Sequence, residues 1–410
     1  MWLPVSAARR GLPGSPVVVA IASGTFLASF SMNAWVPFLP LYARELGATS
    51  DANALFWAGL ATSFIGLSRL VSGPVWGVLA DRYGRKVMLV RALAFATLTT
   101  FVAALATEPW HLVAALTCQG LFSGFIPAAV ALTSVSVPDS RLNQSLGYVS
   151  AAQFLGNTIG PAIGAGIAVF FGLRGAMVAA AIMPAVAAVV VLVLVPKDEI
   201  ASRVHRKRHE PKPASGPGFW SLVGPQFYLV LGFYFFLFAA NQLLRLASPV
   251  AIERLVGHDA ESLVGIAFTA GGVASVAGLM LVNRRAAKPG NFRVLLAAGC
   301  LIAALCQAGL AVAPGAGTYI AAFAAASLIQ AALIPATNTL IATNVGRERR
   351  GTAFGVASSA QAMAFMAGPM SATVFAAWSL PAGFLIVGGL FVVAALVLGK
   401  WLREPAIADS

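Results

Sequence analysis

Two arginines, Arg69 and Arg245, stand inside stretches of chain that are otherwise almost wholly apolar. A guanidinium does not shed its proton, so each must meet an anion or backbone carbonyls. Arg69 lies twelve residues before Asp81, ~18 Å along a helix, too deep to snorkel unless that helix projects well beyond the lipid. Arg245 lies eight residues before Glu253, ~12 Å by the same rise, and can reach an interface. Two readings follow: the pair binds an anionic group on a substrate, or it caps carbonyls at helix kinks.

Other polar and aromatic residues are embedded with helical spacing. Tyr234, Phe238, Asn241 and Arg245 recur at i, i+4, i+7 and i+11 and share one face. Phe26, Phe30 and Asn33, with Trp35 nearby, repeat part of that face; Gln330, Thr337 and Asn338 form another, and Gln119 and Ser123 a fourth. Such residues either line a polar pocket or bond neighbouring helices. Embedded acids are missing: all fourteen Asp and Glu fall at run ends, in connections or in tails. Glu45, Asp81 and Glu253 are the nearest candidates for a proton relay, and no histidine lies deep in a run. No phosphate-binding loop, zinc-ligand spacing or nucleophile elbow appears. The chain therefore reads as a non-enzyme without cofactor or metal. Cys118, Cys300 and Cys306 all fall in apolar runs and read as free, buried thiols.

The elements that hold these residues follow from composition. Of 410 residues, 59% are hydrophobic and 10% charged, against about 25% charged in soluble domains, so lipid must solvate much of the exterior. About 20 apolar residues cross a bilayer as helix. Twelve runs qualify: 17–42, 54–80, 87–107, 111–135, 142–170, 174–195, 219–250, 261–282, 293–313, 317–342, 351–377 and 381–400. They are numbered here as spans 1 to 12. Residues 196–218 form a basic polar linker between two sets of six, 1–195 and 219–410. The net charge of +13 sits in short connections, which is membrane topology and excludes a nucleic-acid face. Even-numbered connections and the termini hold 22 of the 27 basic residues, and odd connections hold only Arg44, Arg174 and Arg254. Both termini and the linker are therefore expected in the cytoplasm, with span 1 retained and not cleaved as a signal.

The two sets repeat each other. A shift of 208 residues carries Asn33 onto Asn241, Glu45 onto Glu253, Pro127 onto Pro335, Arg141 onto Arg349, Gln153 onto Gln361 and Gly160-Pro161 onto Gly368-Pro369. Parallel repeats of six spans place a substrate site between them, near the bilayer midplane.

Two motifs make the reading narrower. Between spans 2 and 3, Gly77, Leu79, Ala80, Asp81, Arg82, Gly84, Arg85 and Lys86 fill every fixed position of G-x-L-A-D-R-x-G-R-K. Gly77 suits close helix approach and Gly84 a tight reversal, while Asp81 can face a helix N-terminus with Arg85 as a further partner. In span 5, Gly156, Gly160 and Gly164 recur every four residues around Pro161 and open a groove for a neighbouring helix. With these motifs the chain resembles a twelve-span major facilitator transporter, and more narrowly the bacterial drug:proton antiporter group of multidrug and tetracycline exporters. The resemblance implies a cytoplasmic gate at Asp81 with span 11 as partner, and an antiporter-like motif in span 5. It also implies a substrate cavity lined by spans 1, 4, 7 and 10. The group's span-4 pattern R-x-x-Q-G matches only at Gln119-Gly120, because Leu116 replaces its arginine. The counterpart of the gate between spans 8 and 9, residues 282–288, is basic but has no aspartate.

The expected fold is thus all-α and membrane-embedded, twelve helices in two pseudo-symmetric bundles of the major facilitator type. The expected function is export of small amphipathic compounds by alternating access, with protons as the coupling ion. The expected setting is a monomer in the inner membrane, in contact with lipid and a small-molecule substrate. An exporter or exchanger of organic anions is the alternative raised by Arg69 and Arg245, and a non-transporting receptor is the alternative of another class.

Overall fold

The structure, a computed structural model, describes residues 16–137, 139–196, 224–257, 260–279, 291–345 and 350–403. The basic linker beyond Pro196 and the connection at 282–288 lie outside them. Every regular element among the described residues is helical.

Span 1 runs as Pro16–Trp35, breaks into a 3-10 turn at Val36–Phe38, and resumes as Leu39–Glu45. Pro37 and Pro40 account for the break, since each lacks an N–H and its ring crowds the carbonyl one turn back. Span 2 is the long helix Asp51–Tyr83, roughly 50 Å at 1.5 Å per residue. Ser50 caps its start, the hydroxyl accepting from the Asn53 N–H at 3.2 Å. Gly84 (φ 95°) turns the chain directly into span 3, Arg85–Ala104, a backbone conformation that favours glycine.

Span 4 departs from the continuous run expected at 111–135. It forms Pro109–Phe122 and Phe125–Ser136, with Ser123 and Gly124 outside helical geometry. Pro127 cannot donate to the Ser123 carbonyl four residues earlier, and Gly124 tolerates the opening that results. Spans 5 and 6 form Asp139–Leu194, bent apart at Gly172 (φ 72°). Spans 7 to 12 are Pro225–Val256, Glu261–Ala277, Phe292–Ala311, Ala316–Thr343, Arg350–Trp378 and Leu380–Trp401.

Among the described residues, seven helical stretches are by themselves long and apolar enough to cross a membrane. Ala151–Leu194 counts as one of them although it carries parts of two spans, and span 8 is a shorter apolar helix of 17 residues. Large apolar side chains point outward along these helices, with Phe170 81%, Phe171 74%, Leu305 72% and Trp378 75% exposed. Only lipid solvates such a surface without loss, so the chain is a multi-pass membrane protein. The same outward bias corrects one expectation: Cys118 is exposed, whereas Cys300 is buried and Cys306 partly so. An apolar thiol facing lipid has no need of burial in protein.

Small residues set the helix contacts. A Cβ on Gly156 would fall 2.6 Å from the Phe26 carbonyl oxygen, and one on Gly160 2.8 Å from that of Phe30; Gly164 is packed just as tightly on Ala34. The groove of span 5 is therefore filled by span 1. Span 11 repeats the arrangement, with Gly368 against Ala239 and Gln242 of span 7, one residue beyond the positions to which the 208-residue shift carries Phe30 and Asn33. Gly265 and Gly272 of span 8 meet Ala165 and Thr158 on another side of span 5. Span 2 packs along span 11: Ser63 Oγ donates to the Met366 carbonyl at 2.8 Å, and Thr373 Oγ1 to the Leu55 carbonyl at 3.0 Å. The first six spans thus meet the last six along two seams, 2 with 11 and 5 with 8.

Candidate functional site

Between those seams a polar chain crosses from span 7 to span 5. Arg245 Nη2 donates to Asn33 Oδ1 at 2.9 Å, and Asn33 Nδ2 donates to Asn157 Oδ1 at 2.8 Å. The Arg245 guanidinium also lies 5.3 Å from the Phe268 ring centre of span 8. Arg69 sits near the middle of span 2, and its terminal Nη2 contacts Met32 Sδ at 3.8 Å while its Nε is buried without a partner. Neither arginine donates to a backbone carbonyl of the described residues. Met32 and Asn33 are consecutive, so the two cations flank one turn of span 1.

The remaining embedded residues divide by burial. Asn33, Arg69, Phe238, Asn241, Arg245 and Asn338 are partly exposed inside the bundle, whereas Phe30, Trp35, Gln119, Ser123, Tyr234 and Gln330 are buried. Asn241 Nδ2 donates to Gln330 Oε1 at 3.3 Å, tying span 7 to span 10. Tyr234 packs on Phe238 at 4.8 Å, and Phe238 reaches Phe365 of span 11 at 6.0 Å. Trp35 is 2% exposed within the packed core, with an unpartnered Nε1. Buried atoms of Gln119, Ser123 and Gln330 are likewise unpaired. Orphaned polar atoms cost about 1–3 kcal/mol each when buried, which marks this layer as unsatisfied by its own side chains.

A second cross-seam contact was not foreseen from the sequence. At one end of the bundle Arg44 pairs with Glu253, Nη1 to Oε1 at 2.7 Å, and both Arg44 and Arg254 pair with Asp51. Arg44 and Asp51 belong to spans 1 and 2, and Glu253 and Arg254 to the last turn of span 7. Two cations and two anions therefore hold the first six spans to the last six, each side contributing one of each sign. The available signal was the scarcity of charge on that side, where Arg44, Asp51, Glu253 and Arg254 all fall at the ends of spans 1, 2 and 7.

At the opposite end the G-x-L-A-D-R-x-G-R-K stretch is divided. Lys86 is buried and its Nζ donates to the carbonyls of Leu192, at 2.8 Å, and Val195. It thus closes the C-terminal end of span 6, where a helix dipole attracts a cation. Arg82 is exposed over Tyr83, and Arg85 is partly buried. One turn inside, Arg91 lies 3.3 Å from the Trp76 ring centre, and Trp76 Nε1 donates to the Leu121 carbonyl at 2.6 Å. The side-chain surroundings of Gly77 and Asp81, and those of Gly351 on span 11, lie outside what is described. Among the described residues no group of three or more His, Cys, Asp or Glu is placed to hold a metal ion.

The family profile of the Major Facilitator Superfamily matches residues 21–328 and 258–410. The chain belongs to the Major Facilitator Superfamily. This facilitator is 28% identical over 399 residues to the "Multidrug resistance protein MdtG" of Klebsiella pneumoniae (strain 342), covering 94% of this chain and 93% of that protein. It is 39% identical over 151 residues to the "Multi-drug resistance efflux pump PmrA" of Streptococcus pneumoniae serotype 4, covering 37% and 38%. Among solved structures, a D-xylose-proton symporter superposes with a TM-score of 0.74 at 15% identity, over 95% of this chain and 98% of that one. The human organic anion transporter MFSD10 superposes at 0.66 and 19%, over 95% and 100%. At such identities the superpositions establish the fold alone. Family and fold make the facilitator a transporter and not an enzyme.

Proposed function

We propose that the chain exports small amphipathic compounds across the inner membrane by alternating access, in exchange for protons. The observation that carries this reading is the polar and aromatic layer around Asn33, Asn241 and Arg245, set between two seams built on small residues. Small residues let the helices of those seams approach closely. The names of the full-length relative MdtG and of PmrA support efflux of drug-like compounds. The excess of basic residues in even connections supports cytoplasmic termini, and hence places the Arg44–Glu253 cluster on the outer face. In this reading that cluster closes the outer side, and the motif at Asp81 closes the inner side in the other state. A monomer has all the parts required; its partners are lipid, cargo and protons. Proton exchange rests on the resemblance to the antiporter group, since no carboxylate is embedded in the described spans.

The test is flux through purified protein in liposomes with an imposed pH gradient, using cationic, neutral and anionic dyes in parallel. Gradient-dependent movement of at least one dye is expected. Equal flux with and without the gradient would remove protons from the account, and no flux of any dye would leave a non-transporting receptor. Asp81→Asn should slow turnover by about tenfold or more while leaving dye binding intact.

A further inference from the structure

We infer that the midplane layer is a receptor for an anionic head group, a carboxylate, sulfonate or phosphonate on an otherwise apolar body, which takes Arg245 away from Asn33. This deepens the transport reading and rests on it for the identity of the cargo site. Arg245 and Arg69 bring two fixed positive charges to one turn of span 1, and no carboxylate of the described residues pairs with either. Arg245 donates to a neutral amide oxygen. Arg69 has a thioether contact and a buried, idle Nε. A layer with surplus donors and surplus positive charge is complementary to an acceptor that is itself negative.

The displacement has a mechanical consequence. The Arg245–Asn33 bond ties span 7 to span 1, across the boundary between the first six spans and the last six. An anion offers Arg245 a full opposite charge and a bidentate pair of bonds, neither of which the neutral Asn33 amide supplies, so it wins the guanidinium from the amide. Asn33 keeps its bond to Asn157 within the first six spans. Binding therefore exchanges a protein–protein tie for a protein–cargo tie, and the seam is freed to open. For the body of the ligand, Phe268 supplies aromatic surface beside the guanidinium, and Phe238 lies about two turns away on the same face of span 7.

Three probes of one shape separate this from charge-blind binding: 2-naphthoate, 2-naphthamide and 2-naphthylmethylammonium, titrated calorimetrically onto the purified full chain. Naphthoate should bind about tenfold more tightly than the other two. Arg245→Gln and Arg69→Gln should each weaken naphthoate by about tenfold and naphthamide by less than about twofold; Arg69→Lys should recover part of the loss. Should the glutamine variants not fold, Asn33→Ala carries the test, because removing the competing amide should raise the affinity for naphthoate relative to that for naphthamide. Equal affinity for naphthoate and the ammonium probe, or naphthoate binding indifferent to all these substitutions, overturns the inference. Gradient-driven dye flux together with charge-blind binding would overturn it while leaving the transport reading intact. Naphthoate selectivity without any flux would do the reverse.

Discussion

Arg44, Asp51, Glu253 and Arg254 do work that none does alone. Each carboxylate meets a guanidinium from the other set of spans, with side chains 17–31% exposed at Arg44, Asp51 and Glu253. Partly shielded pairs are worth more than surface ones, and Glu253→Gln keeps the shape while removing the charge. The replacement is expected to favour the state in which this end is open. A cysteine at Ser63, packed here against Met366, reports the change in a background lacking Cys118, Cys300 and Cys306. Its labelling by an impermeant maleimide should speed up about fivefold with Glu253→Gln, a shift of roughly 1 kcal/mol; an unchanged rate would deny the cluster a gating role. At this scale the sequence was informative about cost and silent about partners. Arg69 and Arg245 were visible because a charge inside an apolar run is expensive. That Arg245 meets Asn33, and that Arg44 meets Glu253, depends on inter-helix register, which no single stretch of chain encodes.

At the level of elements, the spacing of Gly156, Gly160 and Gly164 announced a groove without naming its occupant. Span 1 fills it, and the carbonyls of Phe26, Phe30 and Ala34 take the space a side chain would need. Gly164→Val should lower the melting temperature measurably, since overpacking costs about 1–3 kcal/mol or more. Gly166→Val is the matched control, because a Cβ there meets nothing within 4 Å; equal melting temperatures for the two would refute the packing argument. Lys86 makes the same point for the gate stretch. Its charge reads as one more interfacial cation, yet it is buried on the end of span 6. Lys86→Met should destabilise the protein by about 1 kcal/mol, seen as a lower melting temperature with dye affinity unaltered. The break in span 4 at Ser123 was readable in principle from Pro127, but a run of apolar residues hides a kink when only hydropathy is followed.

For the whole molecule, composition and run length carried the fold, since twelve apolar runs and a 208-residue repeat leave few ways to arrange a chain in lipid. The repeat reappears in three dimensions where Gly160 meets span 1 and Gly368 meets span 7. What distinguishes one transporter from another lies in a handful of side chains at the seams, and there the sequence offered residue types without distances. The central claim is that the two sets of six spans must part at the end bearing Arg44 for cargo to move. Gly59 and Thr373 permit a direct measurement, because a Cβ on Gly59 would lie 3.0 Å from Thr373 Oγ1, the place of a cysteine sulfur at 373. A disulfide can therefore form with a small shift away from the Pro369 carbonyl oxygen, also 3.0 Å from that Cβ. Gly59→Cys with Thr373→Cys, in the background lacking the three native cysteines, ties span 2 to span 11 on oxidation. Gradient-driven dye flux in liposomes is predicted to stop when the pair is oxidised and to return on reduction; equal flux in both states would contradict the account.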